Sequence, residues 1–191
     1  EGGEVSRLQN IINNSLFSQR YFGKLFEDNS KLGSSIYEYY MNEICILLKS
    51  LGININTIPV LDKMHNNTHK FLKNRIYSSN LKTIQLLSNV CEKVCKKNKI
   101  STVIKHIPGH GLAKVDSHFF TPSINKPLDF LKKRDFIPFK NKNTLFAMTA
   151  HVIYKKIDPH NTVTHSKKMI KIIRNQIKFK NIIISDDLSM K

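Results

Sequence analysis

Residues 105–118 read KHIPGHGLAKVDSH, placing His106, His110 and His118 with Gly109, Gly111 and Asp116 directly after the apolar run STVI. Three chemistries suit that composition. The histidines could be metal ligands, but their His-x₃-His-x₇-His spacing is not a helical pair, because Pro108, Gly109 and Gly111 exclude a regular helix. One histidine could instead be a general acid/base. Asp116 lies two residues from His118, so its carboxylate can hold one imidazole nitrogen, fix the tautomer and tune the ring near neutral pH. Alternatively the glycines form a tight turn and the histidines only satisfy backbone groups. The density of Lys, His, Asp and Gly beyond a buried strand favours chemistry over that last reading.

A second acidic group stands far away in sequence. NIIISDDLS (181–189) ends an apolar run with Asp186 and Asp187. A carboxylate there can attack an electrophilic carbon, whereas the ordinary role of such a pair is to cap the next helix. A carboxylate nucleophile with a separate proton donor is the equipment of retaining glycoside hydrolysis. That mechanism normally uses two carboxylates, so the donor here would be the Asp-supported histidine.

These groups need strands to carry them. SSIYEYYMNEICILLKSLG (34–52) has helical periodicity, with Ile36, Tyr40, Ile44 and Leu48 on one stripe and Gly52 as its stop. INTIPVLD (55–62) reads as a strand ending in a carboxylate. A polar loop follows, then a helix over 81–97 capped by Ser79 or Asn80. Further strands are expected at 101–107, 144–154 (ending near His151) and 181–189. A short helix is expected over 127–139, and another with Met169, Ile170, Ile173 and Ile177 on its apolar face. Continuous apolar strands suit a parallel sheet buried on both sides. Chemistry at several C-terminal strand ends favours α/β architecture of the (β/α)₈ TIM type, incomplete in this chain, with the first and last strands missing. Residues 1–191 are expected to form a single catalytic barrel domain, part of a longer one.

Composition narrows the class. The 191 residues are 40 % hydrophobic with eleven Phe and six Tyr, a globular balance without an apolar run long enough to span a bilayer. The net charge of +17 is spread along the chain as Lys rather than gathered in a block. No RNP, zinc-finger or helix-turn-helix signature accompanies it. Neither G-x-G-x-x-G nor G-x-x-x-x-G-K-S/T is present, so a nucleotide site has no support. Cys45, Cys91 and Cys95 read as reduced thiols.

The sequence resembles family 3 glycoside hydrolases of the bacterial β-N-acetylglucosaminidase (β-hexosaminidase) type. EGG..SR, PVLD, KHIPGHG….DSH..TP, AHVIY…DP and IISDDLSM occur in the family's order. The resemblance implies Asp186 as nucleophile, His118 as acid/base and Asp116 as its support. It implies Arg7, Arg75, Lys105 and His106 as amino-sugar ligands, and no cofactor or metal. The chain departs from the family around Arg75, where Lys73 and Ile76 replace a Gly and a Ser. The implied function is a cytoplasmic hydrolase that removes N-acetylglucosamine from muropeptides in peptidoglycan recycling. It would have a sugar partner, no nucleic-acid or membrane partner, and a monomeric or weakly associating chain. A phosphorylase of the same family, and a basic nucleic-acid-binding protein on a degenerate barrel, are the alternatives.

Overall fold

The computed structural model describes residues 8–13, 16–115 and 120–188. Its centre is a parallel sheet of β1 (Ile55–Asn56), β2 (Ser101–Ile107), β4 (Phe146–Thr149) and β6 (Ile182–Ile184), ordered as in the chain. A second parallel ladder joins β3 (Ser123–Ile124) to β5 (Ile153–Tyr154) and so ties the segment after β2 to the segment after β4. Between strands run α3 (Lys70–Lys73), α4 (Leu81–Lys97), α5 (Leu128–Lys132) and α6 (Lys167–Ile172), preceded by α1 (Gln19–Asp28) and α2 (Ser30–Ser50). Each sheet strand returns parallel through a helical crossover, the geometry of an α/β barrel wall.

The strands are shorter than the apolar runs that announce them. The first stops at Asn56 because Pro59 has no N–H to give the ladder. Pairing resumes only as a bridge between Val60 and Lys105. The run at 144–154 splits, because its end leaves β4 to pair with β3 instead. The 181–189 run keeps three strand residues, and 127–139 divides into α5 and a 3₁₀ turn at Ile137–Phe139.

Helix α4 matches its expected limits, and the Asn80 side chain accepts from the Lys82 N–H. It buries Ile84, Leu87, Cys91, Val94 and Cys95 between α2 and β2. In α2 the buried stripe is Tyr37, Met41, Cys45 and Leu48; Leu48 is as expected, and the other three lie one position beyond Ile36, Tyr40 and Ile44. Tyr40 and Ile44 are half-buried and Ile36 is exposed, because α1 covers only one shoulder of α2, where Phe22 stacks on Tyr40. The Cys45 and Cys95 sulfurs lie 3.7 Å apart as thiols, and their mutual hydrogen bond with burial pushes the Cys45 pKa up. Met169, Ile173 and Ile177 are buried as expected, with Ile172 joining them and Ile170 half-buried. No helix of the described residues is long and apolar enough to cross a membrane.

Helix α1 matters to the site through two close approaches. The Gln19 side chain donates to the Val60 carbonyl and accepts from the Val60 N–H, both at 3.0 Å, satisfying the two groups that the bridge to Lys105 leaves unused. Gly23 lies so near the Tyr77 backbone that a Cβ would stand 1.8 Å from its carbonyl oxygen. Gly23→Ala must therefore push α1 away and should destabilise the fold by about 1–3 kcal/mol. Urea unfolding monitored by circular dichroism measures this, and an unchanged midpoint would contradict the packing described.

Candidate active site

The C-terminal ends of β1 and β2 meet at a buried carboxylate. Asp62 is fully buried, with Oδ2 2.7 Å from His106 Nδ1 and Oδ1 accepting the His110 N–H at 2.6 Å. A carboxylate only accepts, so Nδ1 of His106 carries the proton, which leaves Nε2 unengaged by the described residues. Burial pushes the Asp62 pKa up. His106 outweighs that by charge and hydrogen bond, with smaller help from His110, and the net shift is downward.

Lys105 and His106 are aimed by an irregularity in β2. Three steps from Ile104 to Ile107 face two from Ala147 to Thr149 on β4, so β2 carries one extra residue at this point. A bulge of this kind redirects side chains at a barrel rim. Lys105 is 2 % exposed and its Nζ reaches Thr57 Oγ1 at 3.4 Å.

The following loop is pinned from three directions. Asp62 holds the His110 N–H, the Tyr154 hydroxyl donates to the Gly109 carbonyl, and the Thr68 hydroxyl donates to the Gly111 carbonyl at 2.6 Å. Glycine is required at 111, where a Cβ would lie 1.9 Å from the Lys63 carbonyl oxygen. The pinning buries the His110 ring, and neither of its nitrogens has a partner among the described residues. Its rings neighbour His106 on one side (centroids 5.6 Å apart) and Phe71 on the other at 6.0 Å. Arg75, itself buried, lies over that same Phe71 ring at 5.6 Å.

Asp186 stands just beyond β6, half-exposed, with its Oδ1 accepting the Asp187 N–H at 2.9 Å. It follows the C-terminal end of β6, on the edge of the parallel sheet where β2 also ends, and its charge acts to raise the His110 pKa. Burial, then the neighbouring His106, lowers the His110 pKa to about 4, against the opposing pull of Asp62 and Asp186. Four of the expected site residues, Arg75, Lys105, His106 and Asp186, thus converge around Asp62 and His110. Arg7, Asp116 and His118 lie outside the described residues, and so does any test of the three-histidine metal set. Among the described residues no group of three or more His, Cys, Asp or Glu could hold a metal ion.

Asp62 and a second pair, His65 with Asp135 at 2.8 Å, carried no assigned role in the sequence. The only signal for Asp62 is its position at the end of an apolar run. His65 and Asp135 carry none, being 70 residues apart.

Comparison with known proteins fits this geometry. The model of the Glycosyl hydrolase family 3 N terminal domain matches residues 35–191. A "Beta-hexosaminidase" of Methylobacillus flagellatus is 28 % identical over 194 aligned residues, covering 100 % of this chain and 55 % of the relative. One from Actinobacillus pleuropneumoniae is 34 % identical over 146, covering 74 % and 42 %. The chain therefore spans about half the length of the curated relatives it matches. Among solved structures, NagZ from Neisseria gonorrhoeae in complex with N-trifluoroacetyl-D-glucosamine superposes with a TM-score of 0.83 at 27 % identity, over 90 % of this chain and 52 % of that one.

The buried imidazole makes stability depend on pH. Unfolded His110 binds a proton near the ordinary 6.5, but folded only near 4, so the unfolded state binds more protons between those values. Stability should fall as pH drops through that window, and Asp62 should extend the loss below 3.8. His110→Leu removes the titration and should flatten the dependence between about pH 7 and about pH 4.5, measured by urea unfolding. Equal slopes in both proteins would assign the loss to other groups.

Proposed function

The chain belongs to glycosyl hydrolase family 3, in its N-terminal domain, and from that premise we propose that it is a retaining β-N-acetylglucosaminidase. The observation that carries this reading is the convergence of Asp186 with Lys105, His106 and Arg75 at the C-terminal strand ends. Lys and Arg offer only donors, which suits recognition of sugar hydroxyls in a site where acceptors are already engaged. A structural relative binds an N-acylated glucosamine, which agrees with an amino-sugar substrate.

In the proposed reaction, His118 protonates the glycosidic oxygen while Asp186 attacks the anomeric carbon, breaking the bond to the leaving group. Asp116 holds the His118 ring for both halves of the cycle. The neutral His118 then takes a proton from water, whose oxygen displaces Asp186 and releases the sugar with its configuration retained. Arg7 would join Arg75, Lys105 and His106 in holding the sugar. The natural substrates in this reading are muropeptides met in the cytoplasm during peptidoglycan recycling.

Release of 4-nitrophenol from its β-N-acetylglucosaminide by the purified protein tests the reading. Asp186→Ala should lower kcat on the order of 10³-fold or more. His118→Ala should cost about 10²-fold with a poor leaving group and much less with 4-nitrophenol, which needs little protonation. Asp187→Ala should stay active. An inert Asp187→Ala beside an active Asp186→Ala would reverse the nucleophile assignment.

A further inference from the structure

Lysines that are scattered along the sequence are gathered by the fold. The turns that lead into β2, β4 and β6 read Lys97-Asn98-Lys99, Lys140-Asn141-Lys142 and Lys178-Phe179-Lys180. These strands are parallel neighbours, so all three turns lie on the N-terminal edge of the sheet, opposite the mouth. Hydrogen bonds join the second turn to the third: the Asn141 N–H donates to the Ile177 carbonyl at 3.2 Å, and Asn181 Nδ2 to the Thr144 carbonyl at 2.8 Å. Lys142 serves as an anchor, its ammonium donating to Ser88, Asn89 and Glu92 on α4, the last at 2.6 Å. Lys96, Lys97, Lys99, Lys140, Lys178 and Lys180 are exposed, and none is ion-paired with a carboxylate among the described residues. Segments 93–102, 140–145 and 174–182 contain no Asp or Glu.

Local structure does not ask for most of these cations. The dipole of α4 suits Lys96 and Lys97 in its last turn. Lys99 and Lys178, however, hold left-handed backbone, with φ of 60° and 65°, where Gly or Asn fits more readily. The middle turn does use Asn there, Asn141 at φ 56°, and still carries a lysine on each side. Between the first two turns the edge is indented by a cleft of about 570 Å³, which Lys93, Lys96, Lys99, Ser101 and Asn143 help to line. Glu92 lines it too, with its charge met by Lys142. Cations in a row beside hydroxyl and amide donors suit a polymer of regularly spaced phosphates. Among the described residues no aromatic side chain lines the cleft to stack on a base, so what it can hold is backbone, whatever the sequence. A bilayer presents a plane of headgroups, which meets the rim lysines without entering the cleft. We infer that this sheet edge is a docking surface for the phosphate backbone of duplex nucleic acid, on the side of the domain away from the candidate active site.

The test is a fluorescence-anisotropy titration of a labelled, mixed-sequence DNA duplex with the purified protein over a range of NaCl concentrations. With about five phosphates contacted, each doubling of salt should weaken binding about twentyfold. The Lys99→Gln/Lys140→Gln/Lys178→Gln/Lys180→Gln variant should bind far more weakly, and the slope of log K on log salt should shrink by about four. A control of the same net charge, Lys24→Gln/Lys31→Gln/Lys70→Gln/Lys82→Gln, removes lysines exposed elsewhere and should keep the wild-type slope. Melting curves check that both variants fold. Equal losses in the two variants would mean that net charge alone attracts DNA, and the inference falls. It falls too if the wild type leaves the duplex unbound at low salt, or if a single strand of the same sequence binds better, since base stacking would then be at work. Phosphatidylserine vesicles are the remaining arm: sedimentation of the protein with them, without duplex binding, would make the partner a membrane and overturn the inference.

Discussion

One buried carboxylate holds the mouth of this barrel wall together. Asp62 has no solvent contact, and an ionised carboxyl in that position is tolerable only if its oxygens are engaged. The groups that engage it are the His106 ring and the His110 N–H, both on the neighbouring strand and its loop. The same interaction that makes Asp62 tolerable therefore fixes the orientation of His106 and the entry of the loop that leads to Asp116 and His118. Gln19 does a related task one turn of chain earlier. It satisfies the Val60 N–H and carbonyl, which the bridge to Lys105 does not use, and so holds the chain that presents Asp62.

Rigid framing matters because the donors proposed to hold the sugar are long side chains. Lys105 and Arg75 carry large rotamer entropy, and ordering them on ligand binding would weaken affinity. Both are already buried. Lys105 is directed by the extra residue in β2, and Arg75 rests on Phe71, which also packs on His110. A chain of contacts thus runs from Arg75 through Phe71, His110 and His106 to Asp62, with each ring restricting the next.

Much of this was legible in the sequence, for identifiable reasons. Helix α4 was legible in both limits because a capping Asn and a regular apolar period act locally. In α2 Leu48 is buried as expected but the rest of the stripe is displaced by one residue, because which shoulder is covered depends on α1, and periodicity does not know where a neighbour packs. Strand runs were overlong because apolar residues continue past the last ladder bond, as at Pro59 and beyond Thr149. Lys105, His106 and Asp186 were singled out through long motif matches, and Arg75 through a shorter segment that departs from the family at Lys73 and Ile76. Asp62 was seen as the end of a strand but not as the anchor, since its partner lies 44 residues on. The His65–Asp135 pair depends wholly on tertiary contact.

The electrostatics of the mouth give His110 a definite part without any bond to a substrate. Its ring is buried, with no partner among the described residues, and at neutral pH it is uncharged because its pKa lies near 4. A protonated imidazole there would face Asp186 across the mouth and draw on its negative charge. An uncharged one leaves that charge uncompensated from this side. In the proposed mechanism the carboxylate must attack an electrophilic carbon, and a carboxylate already neutralised by a neighbouring cation is a poorer nucleophile. In the proposed mechanism, burying His110 against Phe71 and His106 thus keeps cationic charge away from Asp186, while Lys105 and Arg75 would turn theirs to the sugar. The mouth separates its charges by burial as much as by distance.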